Sequence, residues 1–294
     1  MGCSQALARR ENDRASFSPN QFQTKGCRMA LETLQIDKTN AIGRIELRRP
    51  EKRNAISPTM AIELTKILTD FESDPEVRVV SLRGAEGNFC SGGDLTPNGK
   101  SAPRSGSPTA NTLDLMNRVY GETIRKLHRF PKPVVAIVEG IAAGAGANLA
   151  LACDLVYASP TARFSEIFVK RGIALDCGGS WLLPRLVGMQ KAKELAFFGD
   201  WVSAEEARAI GLVNAIFDGD SLEEAVEEKL RRLSTHPPIV LTQIKQSLHR
   251  AASVTMNEAL EIEALAQAAC AATEDFAEGM SAFMEKREPD FKGR

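Results

Sequence analysis

An α/β fold is what the sequence predicts, and two observations predict it: strand-type and helix-type segments alternate through the first two-thirds of the chain, and the strands are continuous apolar runs. Val134-Val-Ala-Ile-Val138 is the clearest, five apolar and mostly β-branched residues with no polar break, as in a strand covered on both faces. It leads into the small-residue turn Gly140-Ile-Ala-Ala-Gly-Ala-Gly146 and then an apolar helix beginning near Ala147. Small residues let backbone approach a ligand closely, and the first N–H groups of a helix have no intrahelical acceptor. Such a turn suits an oxyanion or a phosphate.

The other elements follow in order. Residues 1–30 lack periodicity and mix Arg9, Arg10, Arg14, Lys25 and Arg28 with serines and glutamines, which reads as a disordered extension. Residues 42–47 alternate as a strand. Ser57-Pro58 opens a helix as N-cap and first-turn proline, with Met60, Leu64, Ile67, Leu68 and Phe71 on one face. Residues 77–82 return as a strand, and the loop Asn88-Phe-Cys-Ser-Gly-Gly-Asp94 follows. A Pro/Gly/Ser-rich stretch over 97–110 is expected to be mobile, ahead of a helix over 112–130 and a further strand over 155–158. From Ser221 the pattern turns helical, with capping-box spacings at Ser221/Glu224 and Thr255/Glu258. This divides the chain into an α/β core over 31–220 and a helical region over 221–294. The alanine-rich face over 259–272 is expected to pack on another helix, within the chain or across a subunit interface.

Composition removes several function classes. A net charge of −1 in 294 residues argues against a nucleic-acid surface, and no apolar run reaches the ~20 residues of a membrane span. The six cysteines, at 3, 27, 90, 153, 177 and 270, show no CxxC pairing, so they read as reduced thiols in a cytoplasmic protein. The mitochondrial matrix is the alternative, with residues 1–30 as a transit peptide. Three histidines and no metal-binding spacing argue against a metal site. The turn at 144–146 has Leu149 where the third glycine of a dinucleotide motif belongs. Catalysis is therefore expected from carboxylates and backbone dipoles, with no cofactor.

Two loops place small residues after a strand, Cys90-Ser91-Gly92-Gly93-Asp94 and Ala143-Gly144-Ala145-Gly146. Together with Pro50-Glu-Lys-Arg-Asn-Ala55 and with Gly211-Leu-Val213 after Ala204-Glu-Glu-Ala207, they make the chain resemble the crotonase (enoyl-CoA hydratase/isomerase) superfamily from Leu31 to Arg294. The resemblance implies a spiral of ββα turns with a helical C-terminal region that trimerises, giving a homotrimer or a dimer of trimers. It implies an acyl-CoA thioester substrate whose carbonyl oxygen rests between two backbone N–H groups, those of Ser91 and Ala145, in loops that also carry Cys90, Gly93, Asp94 and Gly144. It further implies contacts to the nucleotide end from Phe283 and Lys286, often across subunits. Lys52 and Arg53 are candidates for the phosphates.

Where hydratases of the family carry two catalytic glutamates, this chain has Asn148 and Phe168; Glu166 reaches the second position only through a local gap. What remains is Asp176, in Leu175-Asp-Cys-Gly-Gly-Ser-Trp181, which resembles the isomerase branch that includes the ring-expanding phenylacetyl-CoA-epoxide isomerases. One carboxylate suffices to move a proton between two carbons, whereas hydration must also hold a water. Asp176 is thus expected to be the acid/base, with its pKa raised near Phe168; its alternative role is capping the helix through Trp181. Hydratase chemistry through Glu166, or acyl-CoA binding without turnover, are the other functional readings. Asp94 and Asp154 read as structural carboxylates tied to backbone, and Trp181 and Trp201 as core residues or pocket walls.

Overall fold

The computed structural model describes residues 31–95 and 107–294; the expectations for residues 1–30, and for most of the 97–110 stretch, lie outside the described residues. Six strands form the main sheet. The first two, β1 (Leu34–Thr39) and β2 (Ile42–Leu47), form an antiparallel hairpin, Leu34 opposite Leu47. Helix α1 (Pro58–Ser73) follows, with Ser57 Oγ accepting from the Met60 N–H and all five expected core-facing residues buried. Strand β3 (Val79–Gly84) returns parallel to β2, two residues later than the sequence pattern suggested.

Helix α2 (Pro108–Leu115) begins four residues before the expected 112, because Ser107-Pro108 repeats the Ser-Pro signal of α1 and Ser107 Oγ accepts from the Ala110 N–H. A π-helical turn, Met116–Tyr120, joins it to α3 (Gly121–Arg129). Then come β4 (Val134–Val138), every residue buried, β5 (Ile141–Ala143) and α4 (Ala145–Leu151). Strands β6 (Leu155–Ala158) and β7 (Arg163–Ser165) lead through a 3-10 turn, Ile167–Arg171, to α5 (Gly179–Val187) and α6 (Met189–Phe198). The core closes with β8 (Val202–Ser203), α7 (Ala204–Ala209) and β9 (Ala215–Ile216). The main sheet runs β1-β2-β3-β4-β6-β9, and a second sheet runs β5-β7-β8. This is the α/β spiral that the resemblance implies, with β4 feeding β5 and β6 feeding β7 of the second sheet. Its buried apolar residues form two clusters, a large one that includes Phe89, Leu82, Leu149 and Phe130, and a smaller one in which Ile42, Val79, Val135 and Tyr157 meet Leu222, Val226 and Leu230.

Four helices end the chain: α8 (Gly219–Thr235), α9 (Pro238–Ala251), α10 (Met256–Ala271) and α11 (Glu274–Glu285). The capping box at Thr255/Glu258 forms, each side chain bonding the other residue's backbone. The Ser221/Glu224 box does not: α8 starts two residues earlier, with Asp218 as N-cap, and Ser221 Oγ donates to the Asp218 carbonyl. Helix α10 packs on α9 within the chain, yet Leu260 and Leu265 on it remain more than half exposed. Among the described residues no helix is long and apolar enough to cross a membrane.

Candidate active site

The two small-residue loops meet. Cys90 pairs with Ala142 as an isolated parallel bridge: the Cys90 N–H donates to the Ile141 carbonyl at 2.9 Å and the Ala143 N–H to the Cys90 carbonyl at 3.0 Å. Gly146 makes this approach sterically allowed, since a Cβ there would stand 2.3 Å from the Cys90 oxygen. Gly144 turns the chain into α4, with the buried Phe168 ring 3.5 Å from where its Cβ would be. The Ala145 N–H is at the first position of α4, two residues earlier than the sequence suggested, and has no intrahelical acceptor.

The Ser91 N–H already has a partner within the chain. It donates to the Arg53 carbonyl at 3.0 Å, and Ser91 Oγ donates to the Lys52 carbonyl at 2.9 Å. The cause lies in the first loop, where Arg53 (φ 49°) and Asn54 (φ 57°) are both left-handed. Asn54 is fully buried and clamps that conformation: Nδ2 donates to the Ala85 and Asn88 carbonyls at 2.9 and 2.7 Å, and Oδ1 accepts from the Arg49 N–H. Lys52 and Arg53 keep their side chains exposed beside Ser91.

Asp94 is not held by backbone donors alone. Its carboxylate is buried in an ion pair with Arg49, Nη2 to Oδ2 2.6 Å, while Arg49 Nη1 donates to the Ala55 carbonyl. Asp154 does accept from backbone, the Val134 N–H at 2.7 Å, and also from Lys245 Nζ at 2.7 Å. Gly93 lies in the same loop and bridges Ile56. Neither tryptophan is a core residue: Trp181 and Trp201 are about 40% exposed, each under an arginine, Arg185 at 3.9 Å and Arg163 at 4.6 Å from the ring centre. Indole faces attract guanidinium groups well enough to stay half in water. Phe283 and Lys286 are exposed at the end of α11, which packs on α10, so within one chain they are not brought to these loops.

The capping role of Asp176 is also corrected. Helix α5 has Gly178 as N-cap, in the left-handed region and without a side-chain cap. Asp176 is instead half-buried. Its Oδ1 is buried without a hydrogen-bond partner, and its backbone carbonyl accepts from Asn148 Nδ2 at 3.0 Å and from the Gly179 N–H at 3.0 Å. Burial raises its pKa, against a hydrogen bond from the Cys177 thiol that lowers it. Cys177 holds φ 47°, a conformation that strains a non-glycine residue by ~1 kcal/mol. The buried Cys90 thiol is pushed up to about 12 by its apolar surroundings, so it is no nucleophile.

Two neighbours escaped the sequence reading, Tyr120 and Cys177, and a third, Glu166, is the acid of the alternative hydratase reading. Tyr120, in the π-helical turn, is buried with its hydroxyl donating to the Ile56 carbonyl at 3.4 Å. Cys177 joins Asp176 as described. Glu166 is buried beside Asn148, whose Nδ2 reaches Glu166 Oε2 at 3.4 Å. A π-helical turn has no sequence signature, and Glu166 is two residues off the family position. Among the described residues no three His, Cys, Asp or Glu side chains group as a metal site.

The sequence and architecture match known proteins. The family model described as enoyl-CoA hydratase/isomerase matches residues 37–294. The chain belongs to the enoyl-CoA hydratase/isomerase family. The 1,2-epoxyphenylacetyl-CoA isomerase of Escherichia coli is 38% identical over 253 residues, covering 85% of this chain and 94% of that protein. The short-chain-enoyl-CoA hydratase of Clostridium acetobutylicum is 33% identical over 272 residues, covering 90% and 100%. In structure, this family member is similar to the enoyl-CoA hydratase of Bacillus anthracis with a TM-score of 0.83 at 32% identity, covering 90% of this chain and all of the other.

Proposed function

We propose that this family member is an acyl-CoA isomerase with Asp176 as its single acid/base. The carrying observation is the Asp176 carboxylate itself: half-buried, with a buried, unpartnered Oδ1, on a loop fixed through its carbonyl rather than spent on a helix cap. The relatives include an isomerase and hydratases, which supports a CoA thioester as substrate. Asn148 and Phe168 supply no carboxylate where the hydratases' glutamates stand.

In the reaction, Asp176 removes a proton from C2 of a 3-enoyl-CoA, the electrons move into a dienolate, and Asp176 returns the proton to C4, giving the 2-enoyl thioester. The dienolate oxygen accepts from the Ala145 N–H. For the Ser91 N–H to be the second donor, the thioester oxygen must take the place now held by the Arg53 carbonyl. Raised basicity suits a group that must first take a proton and then release it. Lys52 and Arg53 sit beside this point for the CoA phosphates, and Phe283 and Lys286 are assigned to the nucleotide end of a neighbouring subunit's ligand in a homotrimer or dimer of trimers.

The test is a screen of 3-enoyl, 2-enoyl and ring-epoxide CoA thioesters with wild type and Asp176→Asn. Isomerisation lost in the variant supports the reading; isomerisation at the wild-type rate in the variant overturns it. One observation favours a second reading, hydration: Glu166 is buried next to Asn148. Rapid hydration of a 2-enoyl-CoA that Glu166→Gln abolishes would establish it instead.

A further inference from the structure

Glu166 is the buried acid that the isomerase mechanism leaves unused. It is 4% exposed, and the residues lining the same small cavity are apolar, Ala147 and Leu151 of α4, Leu183 of α5, Leu195 of α6, Phe164 of β7 and Val202 of β8 among them, apart from Ser165, whose hydroxyl donates to the Gly199 carbonyl. No lysine, arginine or histidine faces it from these elements; the ionisable groups that act on it or feel it are Asp176 and Cys177. A carboxylate held in such surroundings without a cation loses its hydration and gains no counter-charge, so the neutral acid is the stable form.

The second observation is on Asn148. Its Nδ2 donates to the Asp176 carbonyl at 3.0 Å and to Glu166 Oε2 at 3.4 Å, whereas its Oδ1 is buried with no donor. The amide is confined as well: a Cβ on Gly179 would lie 2.4 Å from Nδ2 and 2.8 Å from Oδ1. A buried amide oxygen without a donor costs ~1–3 kcal/mol, and the missing donor is what a protonated carboxyl supplies.

We infer that Glu166 is a positioning residue carried as the neutral carboxylic acid, donating its O–H to Asn148 Oδ1 while accepting from Nδ2, so that this acid–amide pair fixes the amide that holds the Asp176 loop. The inference rests on Asp176 being the reacting base. Both orphan problems are resolved by one proton: the acid gains an acceptor and the amide oxygen gains a donor. Ionising Glu166 removes that donor, sets a carboxylate against Asn148 Oδ1 and adds a second negative charge near Asp176. The amide then loses its orientation, and Asp176 loses its place. Burial pushes the Glu166 acid up to about 8, which keeps the pair intact at neutral pH and dissolves it in mild alkali.

The experiment has two arms. Infrared difference spectra of the full-length protein at pH 7 are expected to show the C=O stretch of a buried protonated carboxyl that disappears in Glu166→Gln and persists in Asp176→Asn. In the second arm, kcat for the 3-enoyl-CoA is followed against pH. Glutamine keeps both bonds of the pair, so Glu166→Gln is expected to retain neutral-pH kcat and to lose the alkaline fall seen in wild type. Glu166→Leu is expected to lower kcat at every pH by ~10²-fold with KM little changed, as misplacement of a reacting group does. A spectrum in which the Glu166→Gln band is unchanged from wild type, or an alkaline fall that survives in Glu166→Gln, overturns the inference; if Glu166→Leu fails to fold, these two results decide it. Activity surviving in Asp176→Asn would instead remove the proposed mechanism while leaving the infrared result standing.

Discussion

Asn148 Nδ2 donates to the backbone carbonyl of Asp176 at 3.0 Å, tying the first turn of α4 to the loop before α5 across 28 residues of sequence. The helix that begins at the small-residue turn thereby also aims the acid. Replacing Asn148 by Leu is expected to leave the fold intact but loosen this loop. The check is kcat, which should fall with little change in KM, alongside an unchanged far-ultraviolet circular dichroism spectrum.

Asp176→Asn removes the proposed base while preserving shape. General acid–base groups contribute ~10²–10⁴-fold, so kcat for 3-enoyl-CoA isomerisation is expected to drop by that factor with the thermal midpoint unchanged or raised. A rise would follow from relief of burying a charge, since burial is the leading cause of the raised pKa of this group. Differential scanning calorimetry beside steady-state kinetics reads both.

Gly146→Ala places a Cβ against the Cys90 carbonyl, at 2.3 Å in the unshifted backbone. The two loops must then part. A loss of ~1–3 kcal/mol or more in urea unfolding is expected, with a fall in activity at temperatures where the variant remains folded.

Asp94→Ala strands the Arg49 guanidinium, which is held at 2.6 Å by that carboxylate and is itself mostly buried. Removing one partner of a buried pair costs ~3 kcal/mol or more. Urea unfolding should show it, and the double variant Arg49→Met/Asp94→Ala should recover part of the loss.

His128 and His249 stack at 4.0 Å, nearly parallel, joining α3 to α9, with the Trp181 ring edge-on to His128. Burial, then His249 and Lys245, push the His128 pKa down to about 4; burial and Lys245 lower that of His249. A depressed histidine favours the folded state above its unfolded value and ceases to do so as pH falls through the folded one. Stability is therefore expected to decline from about pH 6.5 toward 4. Thermal melts across that range should show the decline, flattened in His128→Gln.

The hairpin that starts the fold shows why part of it was illegible. Asn40 and Ala41 both adopt left-handed φ, 53° and 62°, in a two-residue turn. Alanine there hides the Asn-Gly signal that normally marks such a turn, and β1 is half polar because it is an edge strand. Short strands such as β8 and β9, two residues each, have no periodicity to detect. Helices with strong local caps, α1 and α10, were legible at their starts because the Ser57 and Thr255 side chains bond residues three positions on.

What the sequence by itself determined is what neighbours along the chain decide: the alternation of buried strands and amphipathic helices, the capped starts at Ser57 and Thr255, and the small-residue turn before α4. The tertiary structure alone decided how those pieces meet. It gave the Ser91 N–H to the Arg53 carbonyl, denied Asp176 its capping role, and set Glu166 and Asp176 on the same Asn148 amide. Such choices depend on which distant donor reaches an acceptor first when the core closes. A buried polar atom must find its partner in space rather than in sequence, so the chemistry of this site is written in contacts between residues 18 or more positions apart as well as in its motifs.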